Sequence, residues 1–343
     1  MKRRTLLKAI TGLAAAGLTY DQVKAGHGPH LTGLASCPED LPTSASLRVA
    51  DPSQIKLLQF TDTHLYRWPW RTDLDQRTRD AMFRMVDQHR PDLVLMTGDL
   101  WHNNPLHLGA HYLDKGLAIF REMGLPWLFT WGNHDRLDDY LAGHRALAAA
   151  PHSLYRGGKT SGCYTVQLQD RQGQPLWDLV CLNTNGFGVG PVQKEWVKSL
   201  QLTAPHVLAV FHIPLLQQRQ LWEQGQGTGV GLEKVGSGIE DGSALTVLGN
   251  LKVNYCITGH DHVNDFSVLS RVGGCPQTVE LIYGRATGYS GYGQEQVPKG
   301  GKLYHLNALT GQCRWASVLA DGTCWVPPAK MHVDRWRADL WRS

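Results

Sequence analysis

The sequence has no long apolar run, no paired-cysteine spacing, no internal repeat and no low-complexity tract. Each absence removes a class of protein. The longest apolar stretch lies within the first 18 residues and spans about a dozen, short of the roughly 20 needed to cross a bilayer as a helix. No membrane-spanning segment is therefore expected in the mature chain. The seven cysteines, Cys37, Cys163, Cys181, Cys256, Cys275, Cys313 and Cys324, never stand at CxxC spacing, so neither a thiolate zinc site nor a dithiol redox motif is indicated. What the chain does have is bulk: 343 residues, 42% of them hydrophobic. That supports one large domain or two small ones with a sizeable core, and excludes disordered and fibrous classes.

The amino terminus is basic, then apolar, and Val23, Lys24 and Ala25 form an AxA-like cleavage site, so residues 1–25 are expected to be a removable signal. The run Arg3-Arg4-Thr5-Leu6-Leu7-Lys8 is similar to the twin-arginine signal that exports folded proteins, which would make that export machinery a partner. An Arg pair within an ordinary secretory signal is the alternative. On either reading the protein is periplasmic or extracellular, a compartment that permits disulfides, and Cys313 with Cys324 on an expected terminal hairpin is the best pair. A lipid-attachment reading of Leu34-Ala35-Ser36-Cys37 is disfavoured by the polar residues separating it from the apolar stretch. Removing the signal leaves 29 basic and 29 acidic residues. The mature chain is formally neutral, so nothing in its net charge calls for nucleic acid as an obligatory partner.

Residues 26–52, rich in Gly, Pro and Ser, read as a linker into a domain over 53–325, with a tail at 326–343 expected to be a frayed helix. Apolar runs alternate with helical patterns at first: a strand over 55–61, a helix over 74–89, a strand over 93–97, a helix over 108–123 and a strand over 126–131. This is the rhythm of βαβ units. Beyond Ser153 strands succeed one another at 164–168, 177–183, 207–212, 253–258, 278–283, 302–306 and 314–319, with a helix over 192–200. Two stacked sheets flanked by helices accommodate the pattern. The Gly-rich stretch 215–250 has no firm period and is either a loop on the substrate side or a flexible insertion.

Five polar clusters each close an apolar run: Asp62-Thr63-His64, Gly98-Asp99, Gly132-Asn133-His134-Asp135, His212 and Gly259-His260-Asp261-His262. Singly, each is weak, because a Gly-Asp pair often marks a turn and a lone His is more often a core or surface residue. Together, at strand ends that converge on one sheet edge, they form a set. In extended backbone, residues two apart face the same way, so Asp62 with His64, and His260 with His262, are expected to aim paired ligands into one pocket. Carboxylate, imidazole and amide donors without thiolate suit Mn, Fe or Zn. Two such ions roughly 4 Å apart could hold a hydroxide for in-line attack at phosphorus while neutralising the phosphoryl oxygens.

The five motifs in this order resemble the calcineurin-like metallophosphoesterase family over about residues 55–320. The resemblance implies an α/β fold, the four-layer α-β-β-α sandwich of two stacked mixed sheets flanked by helices. It also implies two divalent ions, one on Asp62, His64, Asp99 and His262, the other on Asp99, Asn133, His212 and His260. Asp99 would bridge them. His134 would protonate the leaving alkoxide or stabilise the phosphoryl charge, and Asp135 would orient its surroundings. Phe211-His212-Ile213-Pro214-Leu215, the stretch from Gly259 to Asp265, and Tyr283-Gly284-Arg285 followed by Tyr289 and Tyr292 resemble the branch related to purple acid phosphatases, which implies phosphomonoester substrates. That branch carries a Tyr three residues after the Gly-Asp aspartate, where this chain has His102, so no tyrosinate ligand, purple colour or ferric ion is implied.

Arg285 is the candidate for gripping a substrate phosphate, with a surface Arg on a Gly-rich turn as the alternative. Trp68, Trp70 and Trp101 are assigned to packing; His102 could substitute as a ligand, but His64 already fills that place, so it is assigned an ordinary pocket or surface role, and His107, His111 and His144 are left without a role. Three functions stay open: a phosphomonoesterase on small-molecule or macromolecular phosphate esters, a phosphodiesterase or nucleotide hydrolase with the same centre, and a metal-bound binding module.

Overall fold

The computed structural model describes residues 42–325, apart from 69, 185, 274–276 and 294–296, together with the backbone of residues 331–332. The signal, the cysteines Cys37 and Cys275, most of the linker and most of the tail lie outside the described residues. The first half runs β1 (Ser44–Arg48), β2 (Ile55–Phe60), α1 (Thr72–His89), β3 (Leu93–Met96), α2 (Gly109–Met123), β4 (Trp127–Phe129), α3 (Tyr140–Ala149), β5 (Tyr164–Gln169) and β6 (Pro175–Cys181). The second runs α4 (Pro191–Ser199), β7 (His206–Val210), α5 (Leu216–Glu223), β8 (Thr228–Gly231), α6 (Ala244–Asn250), β9 (Val253–Thr258), β10 (Asn264–Arg271), β11 (Thr278–Tyr283), β12 (Gly300–Asn307), β13 (Gln312–Leu319), β14 (Cys324–Trp325) and β15 (Met331–His332).

Two mixed sheets result, one ordered β1-β5-β6-β7-β9-β11-β10-β8-β15, the other β14-β13-β12-β2-β3-β4. The side-chain period explains how they stack. Along β6, Leu179 and Cys181 join the core that holds β2, β3 and β4, whereas Val180 and Leu182 join a second core with Val197 of α4 and Leu245 and Leu248 of α6. Successive residues of a strand point to opposite faces, so one face of the large sheet meets the small sheet and the other meets helices. On the small sheet, Ala81, Met82, Met85 and Val86 of α1 and Leu113, Leu117 and Phe120 of α2 pack into the same core as β2 and β3. Their spacing of three and four residues is one helical stripe. Helix α1 ends at Arg90 and α2 at Gly124, both in the left-handed conformation that turns the chain back towards the next strand.

Several elements differ from the sequence-based expectation. The end of the 26–52 segment is strand β1, paired in parallel with β5, rather than open linker. The 215–250 segment holds α5, β8 and α6. Part of the tail pairs with β8 as β15. The expected disulfide is absent, since Cys313 and Cys324 are both free thiols. Cys313 lies opposite Leu306 while Cys324 lies opposite Val318, five residues further along β13. At about 3.3 Å per residue that separates them by roughly 17 Å, far beyond the ~7 Å Cα limit of a disulfide. Among the described residues, no helix is long and apolar enough to cross a membrane.

Polar links tie the two sheets together near the edge where the ligand motifs emerge. Buried Gln59 of β2 donates to the Thr258 carbonyl of β9 at 2.8 Å and accepts from the Tyr304 hydroxyl at 2.7 Å. Asp265 of β10 meets Lys302 Nζ of β12 at 2.5 Å, the Ser317 hydroxyl of β13 at 2.6 Å, and Arg285. All four side chains are buried, so removing the carboxylate would strand two cations. Asp265→Ala is expected to lower unfolding stability by about 3–5 kcal/mol in urea titrations. A loss under about 1 kcal/mol would show that the pair cations relax to other partners.

Candidate metal centre

The ligand motifs leave their strands in a backbone conformation that most residues avoid. Asp62, His64, Asp99 and His260 have φ of 53°, 43°, 55° and 85°. Non-glycine residues at positive φ are uncommon, and their clustering at one place marks a site held under strain by its surroundings. This corrects the reading of Asp62–His64 and His260–His262 as paired along extended strands: the turn backbone, not strand periodicity, brings these side chains together. His260 and His262 fall in different groups.

Among the described residues three groups have donor atoms within 4.8 Å of one another: Asp62, His64 and His262; Asp99, His212 and His260; and His64, His102 and His134, which shares His64 with the first and adds no carboxylate. In the first, His64 Nε2 lies 2.9 Å from His262 Nε2 and 3.9 Å from Asp62 Oδ1, and His262 Nε2 lies 3.6 Å from that same oxygen. In the second, His212 Nε2 lies 3.1 Å from Asn133 Oδ1 and 3.3 Å from His260 Nδ1. Asp99 Oδ2 stands between them, 3.6 Å from His64 Nε2 and 3.4 Å from His212 Nε2. Donors bonded at about 2.0–2.2 Å to one tetrahedral ion lie roughly 3.3–3.5 Å apart, so this spacing fits two ions sharing one carboxylate. Asp62 Oδ1 adds a second observation: it is buried and accepts no hydrogen bond. A buried anionic oxygen without a proton donor calls for a cation. The nitrogen and oxygen donors fit the divalent ions expected from the sequence.

The charges follow the same logic. Burial alone would raise the Asp99 carboxyl, but the neighbouring His212, His134 and His64 outweigh it and hold it well below the usual carboxylate range. Burial opposes the His212 cation, yet Asp99 beside it pushes that imidazole up to about 10. Burial drives His64 well below its ordinary value, and burial with the His212 charge takes His260 down to about 4. Three of the imidazoles, His64, His260 and His262, are thus biased towards the neutral form that binds metal.

Asp135 braces the whole. Its carboxylate accepts the backbone N–H groups of Asp99, Leu100 and Gly132, each at 2.8 Å. It orients its surroundings, as expected, by fixing the loop that presents Asp99. The His134 backbone N–H donates to Asp99 Oδ1 at 2.7 Å, which directs the other oxygen towards the two groups. The His134 ring pairs through Nδ1 with Asn103 Oδ1 at 3.1 Å, and burial lowers its pKa. Asp62, Asp99, His64, His212 and His262 are buried, whereas Asn133, His134, His102 and His260 are partly exposed. The mouth of the centre opens along these four.

Three expectations change. Arg285 is sequestered: it is buried, bound to Asp265 and to the Pro298 carbonyl at 2.7 Å, with Trp325 over its guanidinium. Buried and ion-paired to Asp265, it has a structural role rather than a grip on phosphate. His102 is part of the centre, its Nδ1 3.1 Å from His64 Nδ1 and its ring stacked on His134 with centroids 4.6 Å apart. Of the tryptophans, Trp101 is fully buried, but Trp68 and Trp70 are exposed. Asn103 and Glu233 carried no motif in the sequence. Glu233 accepts from Val263 N at 2.9 Å and from the Tyr292 hydroxyl at 2.7 Å, and the Tyr292 ring stacks 4.1 Å over His262. Gly236, three residues on, sits so close to His260 that a Cβ there would lie 2.7 Å from the ring. The 215–250 segment is therefore a wall of the site.

A model of the calcineurin-like phosphoesterases matches residues 55–264, more than half of the chain. The chain belongs to the calcineurin-like phosphoesterase family. Among curated members it is similar to "Probable inactive purple acid phosphatase 28" of Arabidopsis thaliana, 26% identical over 329 residues that cover 79% of this chain and 80% of the relative. It is also similar to the 3',5'-cyclic adenosine monophosphate phosphodiesterase CpdA of Escherichia coli K12, 26% identical over 179 residues, 49% of this chain and 58% of that one. Among solved structures it is similar to a dimetal phosphatase from Danio rerio, with TM-score 0.49, 13% identity, and 74% and 92% of the two chains covered. A purple acid phosphatase from yellow lupin gives TM-score 0.47 at 12% identity, covering 80% and 53%.

The glycines of these family motifs have a local reason. Gly98 has φ +90°, and a Cβ on Gly132 would lie 2.2 Å from Asp99 Oδ1. Gly132→Ala is expected to displace the Asp99 carboxylate and lower bound metal, read by elemental mass spectrometry, while far-ultraviolet circular dichroism stays native. Full metal content in this variant would mean that Asp99 is not a ligand.

Proposed function

We propose that the protein is an exported dinuclear metal-dependent phosphoric ester hydrolase acting on phosphomonoesters. The observation that carries the reading is the Asp99 carboxylate oxygen placed between two complete donor groups. Some relatives bear the word "inactive" in their names; the reading for this chain is supported by the Asp and His donor groups gathered around Asp99, with His134 beside them. Asp62, His64, Asp99 and His262 would hold one ion, and Asp99, Asn133, His212 and His260 the other. Bound there, the ions supply an activated water and neutralise charge on the phosphoryl oxygens. The rest falls to the protein. Asp135 keeps Asp99 in place, and Asn133 and His260 border the partly exposed face where the ester enters. Because Asn103 engages His134 Nδ1, the other ring nitrogen is the one left to exchange a proton with the leaving oxygen.

A diesterase reading draws on the similarity to the cyclic-nucleotide enzyme. The deciding experiment compares a chromogenic phosphomonoester with the matching diester on mature protein loaded with Mn, Fe or Zn. Faster monoester turnover that disappears in Asp99→Ala is expected. Faster diester turnover would replace the proposal, and no turnover with two ions bound would leave a binding module. His134→Gln is expected to reduce kcat by about 10²–10⁴-fold with metal content unchanged; an unaltered kcat would remove His134 from the chemistry. Export rests on Arg3 and Arg4, and replacing both with Lys is expected to leave the uncleaved chain in the cytoplasm. Normal export of that variant would point to the ordinary secretory route.

A further inference from the structure

With Arg285 buried elsewhere, the site still needs a cation and a surface for the alcohol portion of its substrate. The loop after the first ligand motif supplies both. Arg67 Nη1 donates to the Ser290 carbonyl at 3.2 Å, two residues before the Tyr292 ring that covers His262. Among the described residues no carboxylate lies within ion-pairing distance of Arg67, so its half-buried charge is not neutralised locally. Lys299, also without a carboxylate partner, donates to the Tyr292 carbonyl at 2.6 Å on the same side.

Outward from Arg67 come two indoles. The guanidinium lies 5.1 Å from the Trp68 ring centroid, and Trp68 and Trp70 stand 5.6 Å apart, tilted by 46°. Trp70 is 72% exposed and Trp68 38%. A tryptophan left this open, next to another and to a cation, is a poor use of apolar surface unless something covers it. Tyr292 thus covers His262, and Arg67, held on Ser290 two residues away, leads on to the indole pair.

We propose that Arg67, Trp68 and Trp70 form a substrate subsite that takes a phosphomonoester whose alcohol carries a planar aromatic ring, as a nucleoside monophosphate does. Arg67 meets the phosphate, for which a planar fork of N–H donors is suited. The indoles stack on the ring, a contact that tolerates any flat π-system. The subsite rests on the phosphoesterase reading, but its test can fail separately.

The metal-loaded mature protein is assayed on adenosine 5'-monophosphate and on glycerol 2-phosphate, which has no ring. Trp70→Ala is expected to lower the ratio of kcat/KM for the nucleotide over glycerol 2-phosphate about tenfold, chiefly through KM. Arg67→Gln is expected to lower kcat/KM for both esters. In parallel, adenosine 5'-monophosphate is titrated against intrinsic tryptophan fluorescence, with quenching expected in the wild type and lost in Trp70→Ala. If neither ester is cleaved yet the quenching pattern holds, the hydrolase reading fails and the subsite stands. If both esters are cleaved and Trp70→Ala leaves the ratio unchanged, the subsite is overturned and the hydrolase stands. An unchanged ratio together with loss of binding to phosphatidylglycerol vesicles would make the indoles a surface anchor instead, which also overturns the proposal.

Discussion

Asp99 must keep a negative charge where water does not reach it, and much of the local architecture answers that demand. A carboxylate buried alone would protonate. Burial acts on this one too, but His212 beside it and the His134 backbone N–H on its inner oxygen hold it ionised. The outer oxygen is thereby placed between the two donor groups. Asp135 then fixes the backbone of the loops on either side. Shifting any one of these would unbalance a charge that has no solvent to compensate it.

The strained backbone serves the same end. Left-handed residues at Asp62, His64, Asp99 and His260 cost free energy that the surrounding sheets must offset. They do so through links that cross between the sheets, Gln59 to Thr258 beneath the ligand loops and Asp265 to Lys302, Ser317 and Arg285 alongside them. The polar residues inside this fold are therefore of two kinds. Some form the candidate metal donors, and others hold the two sheets in register beside them.

The elements missed in the sequence share physical causes. Strand β10 follows directly on the His262 motif and begins with Asn264 and Asp265, polar residues that look like turn until Lys302 is seen to neutralise one of them. Strand β8 is Thr-Gly-Val-Gly, which has almost no side-chain pattern and owes its place to pairing with β10. Helix α3 is short, half of it Ala or Gly, and its start is set by the Asp139 side chain capping Ala142 N at 2.9 Å. Arg285 was misread because its Gly-rich flanks look like an exposed turn, while its acid partner lies twenty residues earlier on another strand.

By itself the sequence determined the layered α/β class, the strands and helices with strong periodicity, and the identity of the donors, because ligand motifs at strand ends are local patterns written in consecutive residues. Only the tertiary structure decided which backbone turns bring those donors within reach of one another, that Arg285 is buried away from them, and which cation and aromatic rings border them. Those facts depend on side chains from Asp62 to His262 meeting across two sheets, at sequence separations no local pattern encodes. The positive φ values that aim the ligands are likewise tolerated only because packing from both sheets holds them.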